Sequence, residues 1–167
     1  MINPLIDQYR RWFAYELGAH RTTLDSLRSV VEERHGSDEW QRAVRLYAHL
    51  ITTRQVWLFR MGGLADEPKD YFPEGKSVEE LAAMAQESAA AWTAFFENLT
   101  DAELSRIYDY VRSDGVAFRN SVDDTLAHLF GHSFYHRGQI AALVRAMGGT
   151  PAATDYIFSV REQLTIT

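Results

Sequence analysis

The segment His128-Leu-Phe-Gly-His132-Ser-Phe-Tyr-His136-Arg-Gly-Gln-Ile140 carries three of the chain's six histidines, four residues apart. Four residues is just over one helical turn, so on a helix these side chains stack along one face. Two neutral imidazoles at i and i+4 can grip one metal ion. The bland alternative is a pair of core histidines, each needing hydrogen-bond partners of its own. A catalytic site of the zinc type takes about three protein ligands and leaves a position open. The chain has no cysteine, so a third ligand must be His, Asp or Glu. The candidates are His49, His128 and the carboxylates of facing helices.

The elements that must position these residues read as helices. Leu5, Tyr9, Trp12, Phe13 and Leu17 recur at helical spacing and predict a first helix over about 4–29, extended by Leu24 and Leu27. His20 on that helix reads as a surface residue, and His35, in the break at 34–38, as a solvated one. Ser37 is the N-cap of a second helix, from about Asp38 to Met61, that ends at Gly62-Gly63. Its apolar arc includes Trp40, Val44, Tyr47, Ile51 and Leu58. His49 lies at the edge of the arc, and periodicity alone does not single it out. Arg54 falls inside the arc, where it either reaches out along its stem or lines a cavity or subunit contact.

Residues 64–76 read as a loop. Ser77-Val-Glu-Glu80 is a capping box that opens an alanine-rich third helix to about Leu99, a composition suited to close packing. Thr100-Asp-Ala-Glu103 starts a short helical turn. Ile107–Arg119 is β-branched and aromatic around Ser113-Asp114-Gly115, the pattern of a small hairpin. Ser121 caps the fourth long helix, which ends at Gly148-Gly149. Val122, Leu126, Leu129, Ser133, His136, Ile140, Leu143 and Met147 form a bundle seam along it. His136 is on that seam and His132 about 40° from it. Arg137 points away, toward a carboxylate on another element. A final short helix runs from Asp155 to about Leu164, capped by Thr154 or Asp155.

The totals narrow the class. The 167 residues suffice for one domain with a substantial core. A net charge of -6 with no basic cluster argues against general nucleic-acid binding. The first twelve residues lack the basic start and apolar core of a secretion signal, and no apolar run approaches a membrane span. The absence of cysteine fits a reducing cytoplasm.

The segment from His128 to Gly148, followed by Pro151 and Asp155, resembles the DinB/YfiT-like family of four-helix-bundle proteins. Tyr9-Arg-Arg-Trp12, His49 with Trp57-Leu58, and Tyr110 with Asp114-Gly115 are similar to that family at further positions. The resemblance covers nearly the whole chain, with His-x3-His-Arg-Gly-Gln its most specific part. Gly131 and Tyr135 depart from the common pattern, at positions that are not ligands. The resemblance implies an all-α fold over residues 1–167, an antiparallel up-down four-helix bundle with a short hairpin excursion and a short C-terminal helix. It also implies a divalent metal held by His49, His132 and His136, with His128 beside the site, and a homodimer; Gln139, one turn beyond His136, is placed to orient a ligand or a water.

Three imidazoles leave a metal its full charge, able to acidify a bound water or polarise a carbonyl. Nitrogen ligands favour Zn, Ni, Fe or Cu over Mg or Ca, with Zn or Ni the first expectation and Fe or Mn as further candidates. The expected function is a metal-dependent enzyme on a small molecule, a hydrolase or a transferase using a low-molecular-weight thiol. The alternatives are a non-catalytic metal-binding stress or sensor protein, and an interaction bundle with empty histidines. No general base is identifiable: Glu103, Asp109 and Asp114 lie near the hairpin, but nothing in the sequence places them at the metal.

Overall fold

A computed structural model describes residues 3–164. The order of elements is α1 (Pro4–Arg28), α2 (Asp38–Arg60), α3 (Val78–Glu97), α4 (Asp101–Leu104), β1 (Ile107–Val111), β2 (Ala117–Ser121), α5 (Val122–Ala146) and α6 (Ile157–Val160). A 3-10 turn, Glu32–Arg34, lies between α1 and α2. The protein is mostly helical, with one two-stranded sheet. No helix among the described residues is long and apolar enough to cross a membrane.

The helices begin where side chains can satisfy their first free N–H groups. Asn3 accepts from Leu5 N at 2.9 Å, with Pro4 following it at the first helical position. Ser37 and Ser121 accept from Trp40 N (3.2 Å) and Asp124 N (3.0 Å), and Ser77 with Glu80 forms the reciprocal capping box. α2 and α5 stop at Gly62 and Gly148, whose φ values of 84° and 82° suit a residue without Cβ. The hairpin pairs Ile107 with Ser121 through to Val111 with Ala117, and α5 follows it directly.

The four long helices close around two apolar clusters. One joins Leu24 and Leu27 of α1, Trp40 to Ile51 of α2, Val78 and Leu81 of α3, and Ile140 and Val144 of α5. The other joins Ile6 to Phe13, Leu58, Trp92 with Phe96, and Val122 to Phe130, with Tyr108 from the hairpin. Between the clusters each helix contributes buried polar side chains: Glu16 and His20, Arg54, Ser88, and Ser133 with Arg137. This polar layer centres on the carboxylate of Glu16, which accepts from Arg137 Nη1 at 2.8 Å and, more loosely, from Arg54 Nη1 at 3.4 Å.

Cluster membership also gives the helix directions. Both α2 and α3 start in the first cluster and finish in the second; α1 and α5 run the other way. The strict up-down alternation expected from the sequence therefore does not hold: the order is up, down, down, up. The cause is the connection between Arg60 and Val78, far longer than the roughly 2–8 residues that join antiparallel neighbours. It runs back along α2, where Glu74 meets Arg45 at 3.0 Å.

Other expectations also change. His20 is buried at 8% exposure, because Tyr9, Phe13, Glu16, His20, Leu24 and Leu27 share one stripe of α1. His35 is half-buried, stacked on Trp40 at 3.8 Å. Of the two expectations for Arg54, the second holds: it lines a cavity and does not reach solvent, while Arg137, buried at 2% exposure, does pair with a carboxylate on another element, Glu16 of α1. The last helix is only Ile157–Val160, without a side-chain cap. It buries no residue, so nothing holds a longer one together.

The polar layer predicts a mutational asymmetry. Glu16→Ala strands two buried guanidinium groups and should cost about 3–5 kcal/mol in urea unfolding. Replacing Glu16, Arg54 and Arg137 together by Leu, Met and Met should cost less than that single change. The same denaturation series checks both.

Candidate metal centre

His49 comes from the middle of α2, and His132 and His136 from α5, the helix packed most extensively against it. Each offers one ring nitrogen to a group whose atoms all lie within 4.8 Å of one another. Nε2 of His132 and Nε2 of His136 are 3.1 Å apart. Two nitrogens bound at about 2.0–2.1 Å on a tetrahedral centre would stand roughly 3.3 Å apart. The three residues are half-buried, so the site is enclosed on one side and reachable from the other.

Neighbouring groups select which nitrogen is free. His49 Nδ1 donates to the carbonyl of Tyr71 at 2.7 Å, which leaves its Nε2 lone pair unprotonated. His136 Nδ1 lies 3.2 Å from Oε1 of Gln139 and donates to it, with the same result. Such partners orient imidazole ligands and raise their basicity. The Tyr71 carbonyl comes from the returning connection, which also lays Phe72 flat on His49 with ring centres 3.8 Å apart. Neither residue carries a motif. The unusual length of the connection is the available sign that it covers something.

Electrostatics keep these rings neutral. Burial pushes His132 down to about 3, helped by repulsion from His136 and His49 and from the Arg54 guanidinium. Burial also lowers His49 and His136, partly opposed by the Tyr71 carbonyl and by Gln139. Unprotonated imidazole is the form that binds a metal. Without a metal, Nε2–H of His132 can donate to Nε2 of His136 at 3.1 Å; a cation that takes the place of that proton is held by both lone pairs. The residues present thus fit a divalent ion.

His128 does not join the group. It is exposed, one turn before His132, with ring centres 5.4 Å from His132 and 5.6 Å from Trp57. Trp57 continues the wall to Tyr110 of the hairpin, and the Arg60 guanidinium lies over both rings at 4.8 and 4.5 Å. Tyr135 is 66% exposed, and a side chain at Gly131 would meet open space, so neither departure from the family pattern disturbs the group. The three carboxylates near the hairpin are committed elsewhere: Glu103 to Arg106, Asp109 to Arg119 and Asp114 to Arg112. Glu16, which sequence reading passed over, supports the site from behind. Its place on the apolar stripe of α1 was the signal.

Acid should therefore loosen the metal-free protein. Folded His49, His132 and His136 refuse protons that the unfolded chain accepts near 6.5, so stability is complete above that pH and falls below it. Urea midpoints of metal-free protein should decline from pH 7.5 to 5, and His132→Leu should flatten the decline. Gln139→Ala should weaken zinc affinity by about tenfold or more in competition with a chelator.

Comparison with known proteins agrees with this architecture. The model of the DinB family matches residues 4–165. Protein DinB of Bacillus subtilis (strain 168) is 27% identical over 93 residues, 56% of this chain and 52% of that protein; the chain thus aligns with about half the length of this curated relative. The crystal structure of a DinB-like protein from Bacillus cereus ATCC 10987 superposes with a TM-score of 0.66 at 23% identity, covering 88% of this chain and 95% of that one. That likeness concerns the fold. With the family model spanning nearly every described residue, the chain belongs to the DinB family.

Proposed function

We propose that this protein is a single bundle domain that binds one divalent metal through His49, His132 and His136 and uses it in chemistry on a small molecule. The observation that carries the reading is the convergence of three neutral imidazoles from two helices, two of them with Nδ1 already engaged. Zn or Ni suits the all-nitrogen set best, with Fe next and the oxygen-preferring Mn last. A divalent ion there would supply a Lewis acid, able to acidify a water or a thiol or to polarise a carbonyl.

The chain's own residues do the rest. Tyr71 and Gln139 hold the rings in their binding tautomer, and Phe72 covers His49. Trp57, Tyr110 and His128 give the approach an aromatic wall that suits an organic substrate. His128 makes no hydrogen bond among the described residues and is the side chain placed to touch what enters. The reaction is a hydrolysis or a transfer using a low-molecular-weight thiol. A thiol cofactor would supply the sulfur that a chain without cysteine lacks. We assign the protein to the cytoplasm, as a homodimer that binds neither nucleic acid nor membrane.

A second reading, a non-catalytic metal-binding stress or sensor protein, has one observation in its favour. The carboxylates nearest the hairpin are all tied in ion pairs, which leaves no obvious acidic base.

Protein purified without an affinity tag should contain stoichiometric divalent metal by elemental analysis, and His49→Ala should lose it. Metal-free preparations whose affinity for added zinc is unchanged by His49→Ala would sink the site. Catalysis is separated by testing thiols with electrophilic substrates against esters and amides. Metal removal should abolish turnover, and His128→Ala should slow it with the metal retained. Turnover that survives metal removal rules out the mechanism, and no turnover in either screen favours the second reading.

A further inference from the structure

A cavity of about 430 Å³ opens between α1, α2 and α3 and shares no residue with the three-histidine group. Its size falls within the range of small-molecule sites. Most of the wall is apolar: Phe13, Leu24 and Ile51 face Ala82, Ala85 and Ala89 of α3. Those alanines leave space where larger side chains would have filled it.

The residues of this wall also carry polar atoms without protein partners, set behind its accessible surface. Both ring nitrogens of His20, the hydroxyl of Ser88 and Nε1 of Trp92 are buried and unpaired among the described residues. The three residues are 8%, 3% and 1% exposed. Natural structures seldom leave such groups unsatisfied. Arg54 also lines the cavity and spends only Nη1 on protein oxygens, at 3.4 Å to Glu16 and 3.5 Å to Ser133.

Charge gives the ligand its sign. The polar layer holds two guanidinium groups, Arg54 and Arg137, against the single carboxylate of Glu16. Burial and both guanidinium groups hold His20 well below its ordinary value, so it adds no charge. One positive charge is left over. The mouth repeats the bias, with Arg21 and Arg28 against Asp25. Such a mouth steers anions inward.

We propose that this cavity is a binding site for a small organic monocarboxylate with an apolar or aromatic body. Its carboxylate accepts from the nitrogens of Arg54 that Glu16 and Ser133 leave free, and its body lies against Phe13, Leu24 and the alanines of α3. The site is independent of the metal reading.

Calorimetry with three probes of one shape tests this: 3-phenylpropionate, 3-phenylpropan-1-ol and 3-phenylpropylamine. They are titrated into the full chain with zinc and without it. The carboxylate should bind saturably in both states and about tenfold or more tighter than the alcohol, with the amine weakest. Arg54→Lys, which removes the planar fork, should weaken the carboxylate by roughly tenfold and leave the alcohol unaffected. Ala85→Leu, which fills the cavity, should abolish binding without lowering the melting temperature. His49→Ala should leave it unchanged. Failure of all three probes to bind overturns the proposal, leaving a hydrated cavity. Equal binding of acid and alcohol reduces the site to an apolar hole. Binding that requires zinc, or that ignores Arg54→Lys and Ala85→Leu, places the carboxylate elsewhere and also overturns it.

Discussion

The contact on which the arrangement turns is the carboxylate of Glu16. It comes from α1, yet it bonds Arg54 of α2 and Arg137 of α5, the two helices that carry the histidines. Arg54 is five residues beyond His49, and Arg137 is next to His136. A slide of α2 along α5 would break one of these bonds before it separated the imidazoles. Replacing such a cluster by apolar side chains can leave a fold as stable or more so. Its contribution here is register. Apolar clusters above and below tolerate small shifts, whereas a fully buried carboxylate between two guanidinium groups does not.

The histidines themselves are held more lightly. His49 is set by a carbonyl from the connection between α2 and α3 and by the ring of Phe72, both contributed by a segment with no regular structure. His136 is set by Gln139, one turn away on its own helix. The centre thus has a rigid half on α5 and a half whose orientation depends on how the connection lies on α2. The parallel course of α2 and α3 makes this possible. A short turn from α2 into an antiparallel α3 would have left His49 without a cover.

Much of this was legible in the sequence, and the parts that were not have physical reasons. Ser37, Ser77 and Ser121 mark their helix starts because a side-chain cap is a local event, read within four residues. The hairpin and the i, i+4 histidines are local in the same sense. His49 is not: its role depends on a partner helix more than eighty positions later, and only the family resemblance selects it from the candidates for a third ligand. Glu16 and His20 sat on the apolar stripe of α1, a warning that a strict count of hydrophobic positions discards. The direction of α3 follows from where a loop goes, and a loop's path has no period to read. The last helix was overextended because residues 155–164 resemble a helix in pattern but have nothing to pack against.

Charge links the polar layer to the metal centre. The Arg54 guanidinium lowers the proton affinity of His132, and the same repulsion acts on any cation the imidazoles would bind. A site of three neutral ligands has no charge of its own to offset this. Glu16 supplies part of the offset by lying against both guanidinium groups, and it does so inside the protein, where screening by water and salt is weak. Without it, two positive charges would stand beside a cation site with nothing to balance them. The same carboxylate that fixes the register of the ligands therefore also reduces the electrostatic cost of filling the site, and the positive charge it leaves uncancelled faces the cavity on the α1–α3 side, where an anion would complete the balance.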